Sequence, residues 1–321
     1  MKNKKEIPDE FITISDYWHE KGKKIEHISV KKIFRRYKTK IKEMFEIIFK
    51  VKIISNKSLE DISYKSYIID DNIILSRNNL LVFELINFLK TFLLNISYFE
   101  ASATLNEYNK LYYNNPFKNK GGGMGYNNGL FFYFFIKFIE PDVVIESGLW
   151  RGFTTYLIDH ATKNTTQLFC FDINLKLIKY KSKKANYFEF DLNSFDFSKI
   201  LKNKKVLAFF DDHVSQYDRL KFCNKNNIKY SIFDDDVSFY NVHSDGWPPI
   251  PTISMLFNEN LKISQFEWVS NNRKLIANIN DAINDKSINA ENYIFETPLD
   301  LFELTGYRNS SRTTYILNKN I

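Results

Sequence analysis

The sequence predicts an α/β fold, with a mostly parallel sheet of seven strands whose last strand is antiparallel, preceded by a helical extension. Two observations support this prediction. Short apolar strands alternate with helices after residue 121, and basic residues concentrate near the N-terminus. Such alternation is typical of parallel sheets covered by helices on both faces. We therefore predict two regions, a basic helical region over 1–120 and a parallel-sheet domain over 121–321.

The N-terminal region contains a predicted basic amphipathic helix. Apolar residues recur at helical spacing from Val30 to Ile48, with seven Lys and Arg residues between them. Such a helix either packs on the protein with a solvated basic face or lies on an anionic membrane surface. We favour packing on the protein. Further helices and loops are predicted over 55–120, including one mostly buried helix near Asn79–Ser97.

The second region begins at the glycine-dense segment Gly121–Gly125, followed by a predicted helix at Asn128–Ile139. The predicted strands are Asp142–Glu146, Gln167–Asp172, Tyr187–Asp191, Val206–Asp211, Lys229–Asp234, Tyr293–Glu296 and Thr313–Leu317. The predicted helices among them are Phe153–Ala161, Phe197–Leu201, Gln216–Asn226 and Glu267–Ile283.

Composition excludes several classes of protein. With 44% hydrophobic residues the chain can bury a core. Cys170 and Cys223 lack CxxC spacing, so neither a zinc site nor a disulfide framework is predicted. The first residues lack the apolar core of a signal peptide, and no stretch reaches the roughly 18 uninterrupted apolar residues of a membrane span. We therefore expect a cytoplasmic protein.

The net charge of +7 belongs to the N-terminal segment. Of the 45 Lys and Arg and the 38 Asp and Glu residues, 16 and nine lie in residues 1–60, which leaves 29 of each sign in the remainder. A nucleic-acid-binding protein more often spreads basic residues through its folded domain. We therefore expect a small-molecule or glycan substrate and no nucleic acid, and the sequence is compatible with a homo-oligomer.

A glycine turn joins the first predicted strand of this domain to the next helix. Gly148 allows a tight turn and the close approach of a ligand to the backbone, and Gly152 lets the helix start near the strand. The spacing, E-x-G-x-x-x-G from Glu146, differs from the G-x-G-x-x-G of dinucleotide binders. Asp172 and Asp191, at the next two strand tips, are placed to reach ribose hydroxyls and an adenine amine; otherwise these acids are merely solvated strand ends.

A second group of candidate residues is acidic. Asp211, Asp212 and His213 follow the fourth strand, and Asp234–Asp236 follow the fifth. Parallel strands place both clusters at the carboxyl edge of the sheet, where ligands bind. Five carboxylates at one edge repel one another, and a divalent cation relieves that repulsion. Because carboxylate oxygens suit Mg²⁺, a magnesium site is predicted there.

These motifs resemble those of class I S-adenosylmethionine-dependent methyltransferases over about residues 121–321. The Glu146–Gly152 segment, with its Trp-Arg pair, is most similar to the macrocin O-methyltransferase and cephalosporin hydroxylase group. The resemblance implies a Rossmann-like methyltransferase sheet with S-adenosylmethionine as cofactor, and a loop at Gly121–Gly125 that closes over it. The cofactor-binding residues it implies are Gly123, Glu146, Gly148, Trp150, Gly152, Asp172, Asp191 and Asp211.

The same resemblance implies a Mg²⁺ ion that positions a sugar diol, held by Asp211, Asp235 and Asp236, with Asp234–Asp235 as the alternative pair. Where that group has a second acid after strand four, which acts as base, this chain has His213. Histidine is chemically able to replace a carboxylate base. We therefore predict His213 and Asp212 as catalytic residues for O-methylation of a sugar, glycan or secondary metabolite.

Two other functions stay open. A metal-dependent nucleotide-sugar transferase would use the acidic clusters for a metal-bound diphosphate, although no phosphate-cradling loop follows the first strand. A catalytically inactive binding protein would dock through its basic helix. The long loop Ser238–Pro251, with His243, Asp245 and Trp247, lies at the predicted ligand edge, where such loops usually set acceptor specificity.

Overall fold

The computed structural model describes residues 71–117, 123–238, 249–257, 264–270 and 273–321. The helix predicted at Val30–Ile48 lies outside these residues, as do His243, Asp245 and Trp247 of the predicted specificity loop. Among the described residues, no helix is long and apolar enough to cross a membrane.

Within the described part of the chain, three helices precede the sheet, α1 (Asp71–Thr91), α2 (Tyr98–Tyr113) and α3 (Tyr126–Ile139). The helix predicted near Asn79–Ser97 corresponds to α1, which starts earlier and ends earlier. Ser97 instead caps α2, because its hydroxyl accepts a hydrogen bond from the Glu100 amide while the Glu100 carboxylate accepts one from the Ser97 amide. This reciprocal capping box starts a new helix where the prediction continued the old one.

The five strands predicted between residues 142 and 234 are all present, in the predicted order. The strands are β1 (Val143–Ser147), β2 (Gln167–Phe171), β3 (Ala185–Phe188), β4 (Val206–Phe210), β5 (Tyr230–Phe233), β6 (Gln265–Ser270), β7 (Arg273–Asn278), β8 (Tyr293–Glu296) and β9 (Thr314–Asn318). The α-helices are α4 (Phe153–Ala161), α5 (Gln216–Lys225), α6 (Ile253–Phe257), α7 (Asn280–Asn284) and α8 (Phe302–Thr305).

Seven strands form one sheet in the order β3-β2-β1-β4-β5-β9-β8. Strands β1 to β5 pair in parallel, and β9 is antiparallel to both of its neighbours. This is the α/β sheet that the sequence predicts, seven-stranded and mostly parallel with an antiparallel last strand.

Two of the predicted helices are wrong. The segment predicted as a helix at Glu267–Ile283 is the antiparallel hairpin of β6 and β7, followed by the short helix α7. Aromatic and β-branched residues such as Trp268 and Val269 favour strands. The helix predicted at Phe197–Leu201 is a single turn, in which the Leu201 amide donates to the Phe197 carbonyl. One turn is too short to propagate as a helix.

The sheet separates two apolar cores. On one face, Val144, Leu207 and Phe209 pack with residues of α1 to α4, and on the other, Ile145 and Phe210 pack with α5. Alternate residues of each strand serve opposite faces, as the two-residue period of a strand requires. The first core includes residues of α1 and α2, so apolar packing continues across residue 120. The domain boundary at residue 120 stays a prediction.

Helix α3 passes through the middle of this first core, and Gly129 is the point at which α2 approaches it. A Cβ atom on Gly129 would lie 2.6 Å from the hydroxyl oxygen of Tyr108. That hydroxyl is buried and donates to the Tyr126 carbonyl oxygen at 2.7 Å. Tyr108 is surrounded by the rings of Tyr112, Tyr126 and Tyr133, so it has little room to move.

We predict that Gly129→Ala destabilises the protein. Alanine is the better helix former by about 1 kcal/mol, so a site without a clash would become more stable. Overpacking typically costs about 1–3 kcal/mol, so here the free energy of unfolding should fall by about 1 kcal/mol in denaturant titrations. In a Tyr108→Phe background the same change should cost less or stabilise. A stabilising Gly129→Ala in the wild-type background would contradict the packing described.

Candidate active site

A cavity of about 670 Å³ opens at the carboxyl edge of the sheet. Its walls come from the residues that follow each of β1 to β5, from the loop before β9, and from Gly123 and Met124 ahead of α3. The strand order reverses between β1 and β4, and open α/β sheets bind ligands at that point. The volume lies within the range of about 300–1,000 Å³ that is usual for small-molecule sites.

Most of the predicted site residues line this cavity. Of the predicted cofactor-binding residues, those in its wall are Gly123, Gly148, Trp150, Asp172, Asp191 and Asp211. The predicted catalytic residues Asp212 and His213 and the predicted metal ligand Asp235 also line it. Glu146, Gly152 and Asp236 are not among the lining residues.

Glu146 lies outside the cavity wall and contacts the first turn of α4. Its carboxylate is buried and accepts hydrogen bonds from the hydroxyls of Thr154 at 2.5 Å and Thr155 at 2.7 Å, in the first turn of α4. Burial raises the pKa of Glu146 to about 7, although these hydrogen bonds lower it in part. The carboxylate therefore joins β1 to α4, and the expectation that it contacts the cofactor does not fit its position.

The two glycines of the turn are needed for contacts within the chain. Gly148 has φ of +90°, and a Cβ there would lie 2.1 Å from the carbonyl oxygen of Asp211. Gly152 has φ of +85°, and its Cβ would lie 2.6 Å from the carbonyl oxygen of Tyr180. The close approach expected from a ligand is therefore already made at both positions by the protein's own backbone.

Asp172 shapes the glycine turn. One carboxylate oxygen accepts hydrogen bonds from the amides of Leu149 at 2.8 Å and Trp150 at 3.2 Å, and the other accepts from the Asn174 amide at 2.9 Å. Burial raises its pKa although these three amides oppose the shift. A carboxylate has about four acceptor positions, so capacity for a ligand hydroxyl remains.

Asp191 and Asp212 share one buried cation, Arg219 of α5, which the sequence analysis missed. Arg219 lies 2.5 Å from an Asp191 oxygen and 2.8 Å from an Asp212 oxygen, and its side chain is 1% exposed. Burial alone would raise the pKa of Asp191, but the hydrogen bonds and charge of Arg219 lower it. Asp191 was predicted to be the last residue of the third strand, but β3 ends at Phe188. Asp191 lies three residues later and caps the next turn.

Asp211, His213 and Asp235 form a group of potential metal ligands. One donor atom from each lies within 4.8 Å of the other two, and the His213 Nε2 atom is 3.7 Å from an Asp235 oxygen. His213 and Asp235 both have left-handed backbone, with φ of +55° and +54°. Burial, and then the neighbouring Asp234 and Asp235, raise the pKa of Asp211 well above its usual range.

Asp236, the predicted third metal ligand, is not part of this group. Its carboxylate accepts hydrogen bonds from the amide and the hydroxyl of Ser254, both at 2.7 Å, and from the hydroxyl of Thr314. Its side chain is fully buried by these contacts. Asp234 is also engaged, with the hydroxyls of Ser311 and Thr313 at 2.6 Å. Among three consecutive aspartates, only Asp235 joins the group.

Further wall residues were not predicted from the sequence. Ser310 and Ser311 line the cavity because β9 is antiparallel, so the loop before it arrives at the carboxyl edge of β5. The polar run before the last strand is the signal that could have identified them. Ile173 and Phe190 add exposed apolar side chains to the wall, immediately after Asp172 and before Asp191.

Comparisons with known proteins give only distant matches. No family model matches the sequence, and no curated protein matches it. The solved structure of cmcI with SAH matches at 13% identity and a TM-score of 0.30, covering 36% of this chain and 63% of that chain. This chain therefore spans less than two thirds of that protein.

Two other solved structures match over a larger share of the chain. An O-methyltransferase from Bacillus cereus in complex with SAH matches at 12% identity, covering 67% of this chain and 91% of that chain, with a TM-score of 0.35. TomG, an O-methyltransferase from Streptomyces achromogenes in complex with SAM, matches at 9% identity, covering 76% and 97%, with a TM-score of 0.35. Similarities at this level say nothing about the reaction of this chain.

We predict that Glu146 makes stability depend on pH. Between its usual pKa of 4.5 and its folded pKa of about 7, the folded protein keeps a proton on Glu146 that the unfolded chain has released. Rising pH therefore favours unfolding over this window, by up to about 3 kcal/mol. Glu146→Gln cannot ionise, so its stability relative to wild type should rise from pH 5 to pH 8 in denaturant titrations. A difference that does not change with pH would contradict the assignment.

Proposed function

We propose that this chain is an S-adenosylmethionine-dependent O-methyltransferase that acts on a hydroxyl of a sugar, glycan or secondary metabolite with the help of a divalent cation. The observation that supports it is that a glycine turn, a half-buried acid and a group of potential metal ligands line one cavity. Asp172 follows β2 and its carboxylate binds the turn after β1, and Asp211, His213 and Asp235 lie after β4 and β5.

The cofactor half of the cavity suits a nucleoside. Asp172 retains acceptor capacity for ribose hydroxyls, and the apolar side chains of Ile173 and Phe190 border the same region of the wall. An adenine ring is flat and apolar on its faces, so aliphatic and aromatic neighbours suit it. Gly123, before α3, lies at the wall where a closing loop was predicted.

The metal half suits a cation held by two carboxylates and one imidazole. Asp211 and Asp235 remain as proposed ligands, and His213 takes the place predicted for Asp236. Imidazole nitrogen is a poorer partner for Mg²⁺ than oxygen is, and it suits transition metals. We therefore propose that Mn²⁺ binds more tightly than Mg²⁺ at this site.

The residues divide the work of methyl transfer. S-adenosylmethionine supplies an activated methyl group, and a cation at Asp211 and Asp235 would lower the pKa of the acceptor hydroxyl. The cavity walls would align that hydroxyl with the methyl carbon, since alignment is the main contribution to such a displacement. As the new C–O bond forms, the S–C bond breaks and S-adenosylhomocysteine leaves, while the hydroxyl proton would pass to solvent water at the open cavity. Asp212 is held by Arg219 and Ser147, which suits a positioning role better than the catalytic role predicted from the sequence.

We predict that S-adenosylhomocysteine binds the purified protein in calorimetry and that Asp172→Asn weakens it. The loss should be about 1–3 kcal/mol, the scale for hydrogen bonds to a charged group. Asp196→Asn, at an exposed turn outside the cavity wall, is the matched control and should bind as wild type does. No binding heat with either S-adenosylhomocysteine or S-adenosylmethionine would rule out the proposed function.

We predict that Mn²⁺ stabilises the protein by mass action and that His213→Ala and Asp235→Asn each weaken Mn²⁺ binding at least about tenfold. Asp236→Asn, the neighbouring carboxylate, should leave the dissociation constant unchanged. If His213 were the base instead, His213→Ala would slow turnover by about 10²–10⁴-fold and leave Mn²⁺ affinity intact. That second pattern would return His213 to the role predicted from the sequence.

A further inference from the structure

Arg219 is a buried charge for which neither the sequence motifs nor the proposed reaction accounts. Its guanidinium is 1% exposed, at the inner side of α5. A buried cation costs several kcal/mol of desolvation unless it is paired and hydrogen-bonded. Arg219 meets that condition with two acids, Asp191 after β3 and Asp212 after β4, both of which line the cavity.

The two acids belong to different halves of the cavity. Asp191 follows the apolar side chain of Phe190 in the proposed cofactor half, and it also accepts the Asn193 amide that starts the next turn. Asp212 lies between Asp211 and His213, two of the proposed metal ligands. The planar fork of Arg219 therefore bridges the two halves directly.

Asp212 transmits its position to the metal ligands. One of its oxygens accepts from Arg219 Nε at 2.8 Å and from the Ser147 hydroxyl at 2.5 Å, while the other accepts from the Val214 amide at 3.1 Å. These contacts hold the chain on both sides of His213, whose left-handed backbone lies between them. A displacement of Asp212 would therefore displace His213.

We propose that Arg219 is a positioning residue that couples cofactor binding to metal binding, an inference that rests on the proposed function. When the cofactor binds, it fixes the position of the segment around Asp191. Asp191 then fixes Arg219, and Arg219 fixes Asp212 and with it the neighbouring Asp211 and His213. Each ligand then binds more tightly in the presence of the other. Linkage requires the effect to be the same in both directions.

Lys184 provides a matched control for a purely structural effect. Its ammonium pairs with Asp159 at 3.2 Å and donates to the carbonyl oxygens of Asp159 and Thr162, at the end of α4 away from the cavity. Loss of this cation should lower the melting temperature without affecting either ligand. Arg219→Lys keeps the charge and loses the planar fork, so one ammonium cannot replace contacts to both acids.

The test is a calorimetric cycle with Mn²⁺ and S-adenosylhomocysteine on the full chain. In wild type, each should tighten the other by at least about fivefold, the lower end of typical coupling. In Arg219→Lys the ratio of each ligand's dissociation constants without and with the other ligand should fall towards one. In Lys184→Met this ratio should equal that of wild type. Asp191→Asn, which breaks the bridge at its more exposed end, should also abolish the coupling and serves if Arg219→Lys does not fold.

Each other result counts against the inference. If both ligands bind wild type without coupling, or if Arg219→Lys and Asp191→Asn retain the wild-type factor, Arg219 does not couple the two halves and the proposed function is unaffected. If Lys184→Met loses coupling to the same extent, the effect is one of general stability and the inference is wrong. If S-adenosylhomocysteine does not bind wild type, the proposed function is wrong and the inference falls with it.

Discussion

The backbone contact between Gly148 and Asp211 is the constraint on which the whole site depends. A side chain at Gly148 would overlap the Asp211 carbonyl, so only glycine lets the end of β4 lie against the turn after β1. That approach brings Asp212 within reach of Ser147 and places Asp211 and His213 beside Asp235. Gly148, which the motif analysis assigned to the approach of a ligand, is therefore also needed to pack the end of β4 against the turn after β1.

Buried charge at the carboxyl edge is the energetic cost of this arrangement. Desolvation raises the pKa of Glu146 and Asp211, and each case opposes stability near neutral pH. Hydroxyls, amides and Arg219 offset part of that cost at Glu146, Asp172 and Asp212. Asp211 lines the same cavity, and no such hydrogen bond reaches its carboxylate from the residues that the structure describes. A cation there would relieve the repulsion from its neighbours.

Periodicity predicted the sheet well because strands buried on both faces are short, apolar and regularly spaced; helix α4 and strand β8 have the predicted bounds. It failed where pairing is decided by tertiary contacts, at the β6–β7 hairpin, and where helical spacing continued past a cap at Ser97.

Residue type identified the acidic edge but not which of Asp234, Asp235 and Asp236 joins the group of potential metal ligands, because side-chain direction depends on the turn. Arg219 gave no signal, since only its contacts distinguish it from the other charged residues on predicted helices.

The most direct test of the account is a crystal structure of the protein with S-adenosylhomocysteine and Mn²⁺, with anomalous scattering used to locate the metal. The account predicts nucleoside density between Asp172, Ile173 and Phe190, and a manganese peak bonded to Asp211, His213 and Asp235. Oxygen and nitrogen ligands should lie about 2.0–2.4 Å from such an ion. A manganese peak at Asp236, or an empty cavity at saturating concentrations of both ligands, would contradict it.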